Sequence, residues 1–372
     1  MSTNGVNADG VDHQPDAILS RMEIELRAAG AAGMEAWPQI RVAARSIPSS
    51  PPAAIILTGC GDSYYAALGL RGLVELAAGI PVVVQPAMEA VSFPSVLADP
   101  AALLVGISVS GKVERTIEAV AEHSRRGGRT ASISAHADSD LAQAADAAIP
   151  TALRGTPGPV PGTANYLGSM LGLVALAAEL AERRGAPLAA FEGVPSALQA
   201  LSDLVERSGD LASAEATVLQ PPFFVLGSGP DYGTAWFGVA KFIEAAATVG
   251  VAQDLEEWAH EQFFTTRPGT TVFVHATTAR VHERARRVAG SVAKVDGRLV
   301  SVAPKPLGLD GEHHWPLPDI DEHLLPLVAW APVAMTALAY ARHAERFPFG
   351  IDQPNRMQTV DEDIYLARPS RA

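Results

Sequence analysis

Cysteine is almost absent from this chain: Cys60 stands alone among 372 residues. One cysteine closes no internal disulfide and builds no Cys-rich metal site, so the sequence points to a reducing, cytoplasmic compartment. Basic residues are also scarce, 28 Lys and Arg against 41 Asp and Glu, giving a net charge of −13. That balance argues against nucleic acid or an anionic membrane surface as partner. It leaves room for an anionic small molecule, because backbone N–H groups and helix N-termini make a local positive site even in an acidic protein. Aromatics are few, 6% against 48% hydrophobic residues overall. The core is therefore expected to consist of small aliphatic side chains. The N-terminus lacks a basic segment followed by an apolar one, so it does not read as a secretory signal. Met1 to Pro15 reads instead as a disordered arm. The apolar run Leu167 to Leu180 is too short for a bilayer and continues into Glu182; it reads as a buried helix.

What is present is a repeated alternation of apolar strands and helices. After a helical region from Asp16 to Ala44, with a break expected near Pro38, the run Ala53 to Leu57 reads as a strand. Further strands are expected at Pro81–Gln85, Ala101–Ile107, Arg129–Ser134 and Ala147–Ile149, with helices over 64–78 and 114–126 between them. Continuous apolar strands alternating with helices mark a parallel sheet covered on both faces. The plan then recurs: strands at Phe223–Leu226, Thr271–His275 and Leu299–Ala303, helices over 232–249 and 279–293, and a C-terminal helical region from His323 interrupted by Pro326 and Pro332. The fold class is therefore α/β, with two tandem doubly wound parallel-sheet domains of the flavodoxin-like three-layer kind. The expected boundaries are an arm at 1–15, a first domain at 16–190, and a second domain with its C-terminal tail at 191–372.

Three places could carry chemistry. The first is Gly59-Cys-Gly-Asp-Ser63, where glycines such as Gly61 allow a tight turn and Ser63 offers a hydroxyl to an anion. An ordinary βα loop explains the same residues. The second, Ser108-Val-Ser-Gly111, puts Ser108, Ser110 and Gly111 at the end of another strand. In open parallel sheets ligands bind outside the carboxyl ends of the strands, so two such turns say more than one. A dinucleotide site would need G-x-G-x-x-G, and Gly59-Cys-Gly-Asp-Ser-Tyr64 lacks the third glycine. The third is Gly238 to Phe264, holding Lys241, Glu244, Glu256, Glu257, His260 and Glu261. A carboxylate and an imidazole form an acid–base pair if the fold joins them; spacing alone fits a solvated helix face equally well. Trp258 could line such a pocket, and Cys60 reads as a small packing residue. His313-His314 has no third ligand at a useful spacing, so neither metal nor other cofactor is expected.

Taken in order, these residues resemble a known family: the double sugar-isomerase (SIS) domain proteins, in particular the isomerase half of the glucosamine-6-phosphate synthases. Cys60-Gly-Asp-Ser-Tyr64 resembles the family's CGTSY turn and Ser108-Val-Ser-Gly111 its SQSG turn. Lys241-Phe-Ile-Glu244 is similar to its K-L-K-E segment, His260 follows Glu244 by the family's sixteen residues, and Asp352-Gln-Pro354 resembles its D-Q-P tail. The resemblance implies that Ser63, Ser108, Ser110 and Thr163, with Gly61 and Gly111, bind a sugar phosphate. It implies that Glu244 moves a proton between C1 and C2, with Lys241, Lys112 and Glu257 as further site candidates. His260 would assist ring opening, in the family from the neighbouring subunit, which implies a homodimer with shared sites. The expected activity is aldose–ketose isomerisation or deamination of a sugar or amino-sugar phosphate, with a deglycase or a non-catalytic sugar-phosphate regulator as alternatives. The departures are Lys112-Val113 where the family has Glu-Thr, Ala164 where it has Lys, and Thr359 where a tail Lys is expected. With Ser2 in place of an N-terminal Cys nucleophile, glutamine hydrolysis by the family's other half is not expected.

Overall fold

The computed structural model describes residues 14–155, 160–354 and 356. Most of the expected N-terminal arm and the Thr359 tail position lie outside the described residues. Two parallel five-stranded sheets organise the chain. The first holds β1 (Ile55–Gly59), β2 (Val82–Pro86), β3 (Leu103–Ile107), β4 (Arg129–Ser134) and β5 (Ala148–Pro150) in the order β2-β1-β3-β4-β5. The second holds β6 (Phe224–Leu226), β7 (Val251–Gln253), β8 (Thr271–His275), β9 (Arg298–Ala303) and β10 (His313–Pro316) in the order β10-β9-β8-β6-β7. Counted from its own first strand, the second sheet repeats the order of the first, 2-1-3-4-5.

The helices are α1 (Pro15–Ala43), α2 (Asp62–Ala78), α3 (Ala87–Ser92), α4 (Glu114–Arg125), α5 (Asp140–Ala144), α6 (Ala164–Arg183) and α7 (Val194–Arg207). They continue with α8 (Gly209–Val218), α9 (Pro230–Ala246), α10 (Leu255–His260), α11 (Ala279–Lys294), α12 (Pro326–Ala329) and α13 (Ala331–His343). The chain divides into two compact units. One comprises Ala32–Leu153 and Asn165–Pro195; the other comprises the segment up to Ala31, Arg154–Ala164 and Ser196–Pro354. The units are thus not the two continuous stretches that a single cut near residue 190 describes. The first half of α1 packs with the second-sheet unit, burying Ile18, Leu19, Met22 and Leu26 and pairing Glu23 with Arg342 of α13 at 2.7 Å.

Both faces of each sheet are covered, which is why their strands are apolar throughout. In the first sheet, Ile56 and Leu104 pack against Val120 of α4 and Leu141 of α5. The opposite face, carrying Ile133, meets α6 so closely that a Cβ on Gly172 would lie 2.5 Å from Ile133 Cγ2. In the second sheet, Val272 and Val274 pack on Trp258 of α10 and Val288 of α11. On its other face the Phe223 ring lies 4.4 Å from that of Phe242 in α9. The long apolar helix α6 has the length and hydropathy of a membrane span, but 94% of its apolar window is buried, so it serves as a core helix.

One expectation needs correction. Pro38 does not break α1, which runs through it to Ala43. The C-terminal helical region is interrupted as expected: Pro326 and Pro332 sit in the first turns of two separate helices, α12 and α13, where the missing N–H would have had no partner.

Gly106 in β3 sets how closely α4 lies on the first sheet. A Cβ there would stand 2.6 Å from Val120 Cγ2 and 3.1 Å from Leu141 Cδ1. Overfilling a packed contact of this kind costs about 1–3 kcal/mol. Gly106→Val should therefore lower stability by about that amount in urea unfolding; unchanged stability would show that α4 does not depend on this contact.

Candidate functional site

In a sheet of order 2-1-3-4-5 the winding reverses between the first and third strands, and the crevice at that point is the expected ligand site. In the first sheet this is the boundary between β1 and β3, where Gly59 pairs in register with Ile107. The two serine turns leave the sheet there, side by side. After β1 the chain turns through Gly61, whose φ of 53° and ψ of −130° make it the N-cap of α2. This left-handed geometry favours glycine. It directs the first turn of a 17-residue helix toward the crevice, with the free N–H groups and positive dipole end that suit an anion. Ser63 lies buried in that turn.

After β3 the turn closes with Gly111 N–H donating to Ser108 O at 3.0 Å. Ser110 Oγ accepts from Lys112 N at 3.2 Å. Gly111 has φ 65°, and a Cβ on it would overlap Ser139 Cβ at 2.3 Å, so only glycine fits. Ser108 is 2% exposed, and its Oγ has no hydrogen-bond partner among the described residues. A buried unpaired hydroxyl costs stability and is a donor available to a ligand. Ser110 and Lys112 are exposed. Asp62 in the same helical turn as Ser63 carries the opposite charge to Lys112. Cys60 is exposed at the edge of the turn, which corrects its reading as a packing residue.

The second-sheet unit holds the other predicted residues. Lys241 of α9 is fully buried. Its Nζ donates to Glu244 Oε2 at 2.5 Å and to Gly162 O at 3.0 Å, and lies 4.8 Å from the centre of the Phe237 ring. A buried ammonium needs such partners to offset its lost hydration. The ion pair fixes the direction of the Glu244 carboxylate, whose side chain is 29% exposed. Thr163, beside Gly162, is fully buried with its hydroxyl unpaired among the described residues. The fold thus brings Thr163, Lys241 and Glu244 together.

His260 is not part of that cluster in the contacts described. It ends α10 with its side chain 71% exposed, 3.4 Å from Glu256. Glu257 is exposed on the first turn of α10. Trp258 is not a pocket residue: it is fully buried and packs edge-on against Phe224 and Phe263. The histidine pair is held by neighbours, His313 by Arg298 at 3.0 Å and His314 by Ser301 at 2.9 Å.

Asp231 was not foreseen. It lies in the first turn of α9, 1% exposed, and accepts from Thr277 N at 2.9 Å and Thr277 Oγ1 at 2.7 Å. The run Gly227-Ser-Gly-Pro-Asp231 signals a turn after a strand, but no local pattern shows that its carboxylate folds inward onto a residue 46 positions away. His275, at the end of β8, was equally hidden. Its burial keeps the ring neutral, with its pKa lowered to about 3.

Residues 50–179 match the SIS domain. The SIS segment contains β1 to β5, both serine turns and most of α6. Similarity to longer proteins extends over most of the chain. The glutamine–fructose-6-phosphate aminotransferase of Gloeobacter violaceus is 27% identical over 314 residues, 82% of this chain and 51% of its own length. The chain spans about half the length of the curated relatives it matches. Among solved structures, the C-terminal domain of glucosamine-fructose-6-phosphate aminotransferase from Francisella tularensis superposes with a TM-score of 0.73 at 16% identity, covering 92% of this chain and 99% of that one. The tagatose-6-phosphate ketose/aldose isomerase of Escherichia coli gives 0.73 at 18% identity, covering 90% and 96%. At these identities the structures establish a shared α/β fold.

Asp231 also yields a test of the electrostatics. Burial pushes its carboxyl up to about 6, against the opposing pull of the two bonds from Thr277. The native state then holds a proton more tightly than the unfolded chain does. Stability should fall as pH rises from about 4 to about 6, with a cost of about 3 kcal/mol fully present above that window. Asp231→Asn keeps an acceptor for Thr277 N and carries no charge. The variant should be more stable than the native protein at pH 8, with the difference shrinking toward pH 4. Urea unfolding at several pH values measures this; a pH-independent difference would contradict it.

Proposed function

We propose that this chain is a phosphosugar isomerase of the SIS class, moving a proton between C1 and C2 of an open-chain sugar phosphate or amino-sugar phosphate. The observation that carries this reading is the pair of serine–glycine turns, side by side at the β1/β3 switch point, with a buried unpaired hydroxyl on Ser108. Ser63, Ser108 and Ser110 with the amides around Gly61 and Gly111 would take the phosphate. Lys112 supplies a positive charge near a position where Val113 removes the family's hydroxyl. The longer relatives are named glutamine–fructose-6-phosphate aminotransferases, and this reading does not extend the aminotransferase activity to this chain.

Glu244 is the base in this proposal. Abstracting a proton beside a carbonyl or imine needs a carboxylate held in a fixed direction and partly shielded from water. The Lys241 ion pair and the partial burial of Glu244 supply both. Lys241 acts through Glu244 and is a positioning residue. His260 would assist ring opening, since imidazole titrates near neutrality. Its exposure at the end of α10 leaves it open to a role at a subunit boundary, as the resemblance implies, and a homodimer with shared sites is part of the proposal. Thr163 would add a hydroxyl beside the base.

Two measurements divide the claim. In a screen of hexose and amino-hexose phosphates, ketose formation and ammonia release are read together to name the reaction. On the best substrate, Glu244→Gln should lower kcat by roughly 10²–10⁴ with binding retained, the usual contribution of a general base. Ser110→Ala should act mainly on KM. Turnover unaffected by Glu244→Gln would remove Glu244 from the chemistry.

A further inference from the structure

The two sheets share a strand order, and their first turns share a conformation. Gly229 caps α9 with φ 62° and ψ −125°, against 53° and −130° for Gly61 at α2. The residue two places on is Ser63 in one and Asp231 in the other. The equivalence holds in the packing as well. A Cβ on Gly59 would press on Ser63 Cβ at 3.0 Å, and one on Gly227 would press on Asp231 Cβ at 2.6 Å. The second turn of each crevice also corresponds: Ser108 follows β3 directly, as Ala276 follows β8, so Thr277 stands where Val109 does.

The chemistry at these matched positions is opposite. The first crevice offers the hydroxyls of Ser63 and Ser108. In the second, Asp231 spans the crevice and takes both the amide and the hydroxyl of Thr277. Ser228 Oγ, the neighbouring hydroxyl, is committed to Asp254 at 2.5 Å. We infer that Asp231 is an internal ligand that seals the second switch point against anions, so that the chain holds one phosphate site where its duplicated plan provides two. A phosphate entering the second crevice would meet a buried carboxylate of its own sign and find the Thr277 donors occupied. Asp231 is in this sense a specificity-determining residue: it directs phosphorylated ligands to the first sheet. The inference rests on the reading of the serine turns as the phosphate site.

The test counts inorganic phosphate bound per chain at pH 8 by equilibrium dialysis. Asp231→Ser, which places in the second crevice the residue found in the first, should bind one more equivalent than the native protein. Amide resonances of Gly229 and Thr277 should shift as it binds. Because the readout is the difference between variant and native chain, failure of the serine turns to bind phosphate changes the native count but not the predicted increment. Asp231→Thr serves the same purpose if serine at this buried position prevents folding. An increment of zero in the folded variants, or one whose shifts fall elsewhere, overturns the inference.

Discussion

A parallel sheet wound as 2-1-3-4-5 sends its first and third strands into connections on either side of a crevice, and helix N-termini with unpaired N–H groups face it. Something with acceptor oxygens must satisfy those donors. In the second sheet of this protein the acceptor is built in, the carboxylate of Asp231 bonded to Thr277. In the first sheet Ser63 holds the matching position and the buried hydroxyl of Ser108 is unpaired among the described residues; in our proposal they leave the crevice to a ligand. The same turn, down to the positive φ of Gly61 and Gly229, is thus, in our proposal, closed in one place and open in the other by a single side chain.

Much of this was legible in the sequence. Apolar strands alternating with helices named the parallel sheets, and the expected strands at 101–107, 129–134 and 271–275 lie on β3, β4 and β8. Both serine turns fall at strand ends because the glycines that mark them are required there by positive φ. The two edge strands of the second sheet were not legible. β7 and β10, at Val251–Gln253 and His313–Pro316, are too short to show a period. Pro38 within α1 gave a false stop because the packing of Ile40 and the Arg41–Glu179 pair outweighs one lost backbone bond.

The proposed chemical residues were legible only by resemblance. Spacing does not distinguish Glu244 from a solvated acid, and what sets it apart is a contact at 2.5 Å with a fully buried Lys241. That lysine also fixes Gly162, tying the Thr163 segment to the helix that carries the base. Asp231 had no sequence signal, since its meaning comes from its partner Thr277 and from comparison with Ser63. The residues that match the SIS domain, 50–179, include the first sheet and both serine turns.

The central claim is that the β1/β3 crevice is where an anion binds. Backbone amide shifts during a titration with inorganic phosphate test it most directly. The account predicts saturable shifts concentrated in residues 60–64 and 108–113, with those of 227–231 unmoved. Shifts absent from the serine turns, or centred on the second sheet's turns instead, would contradict it.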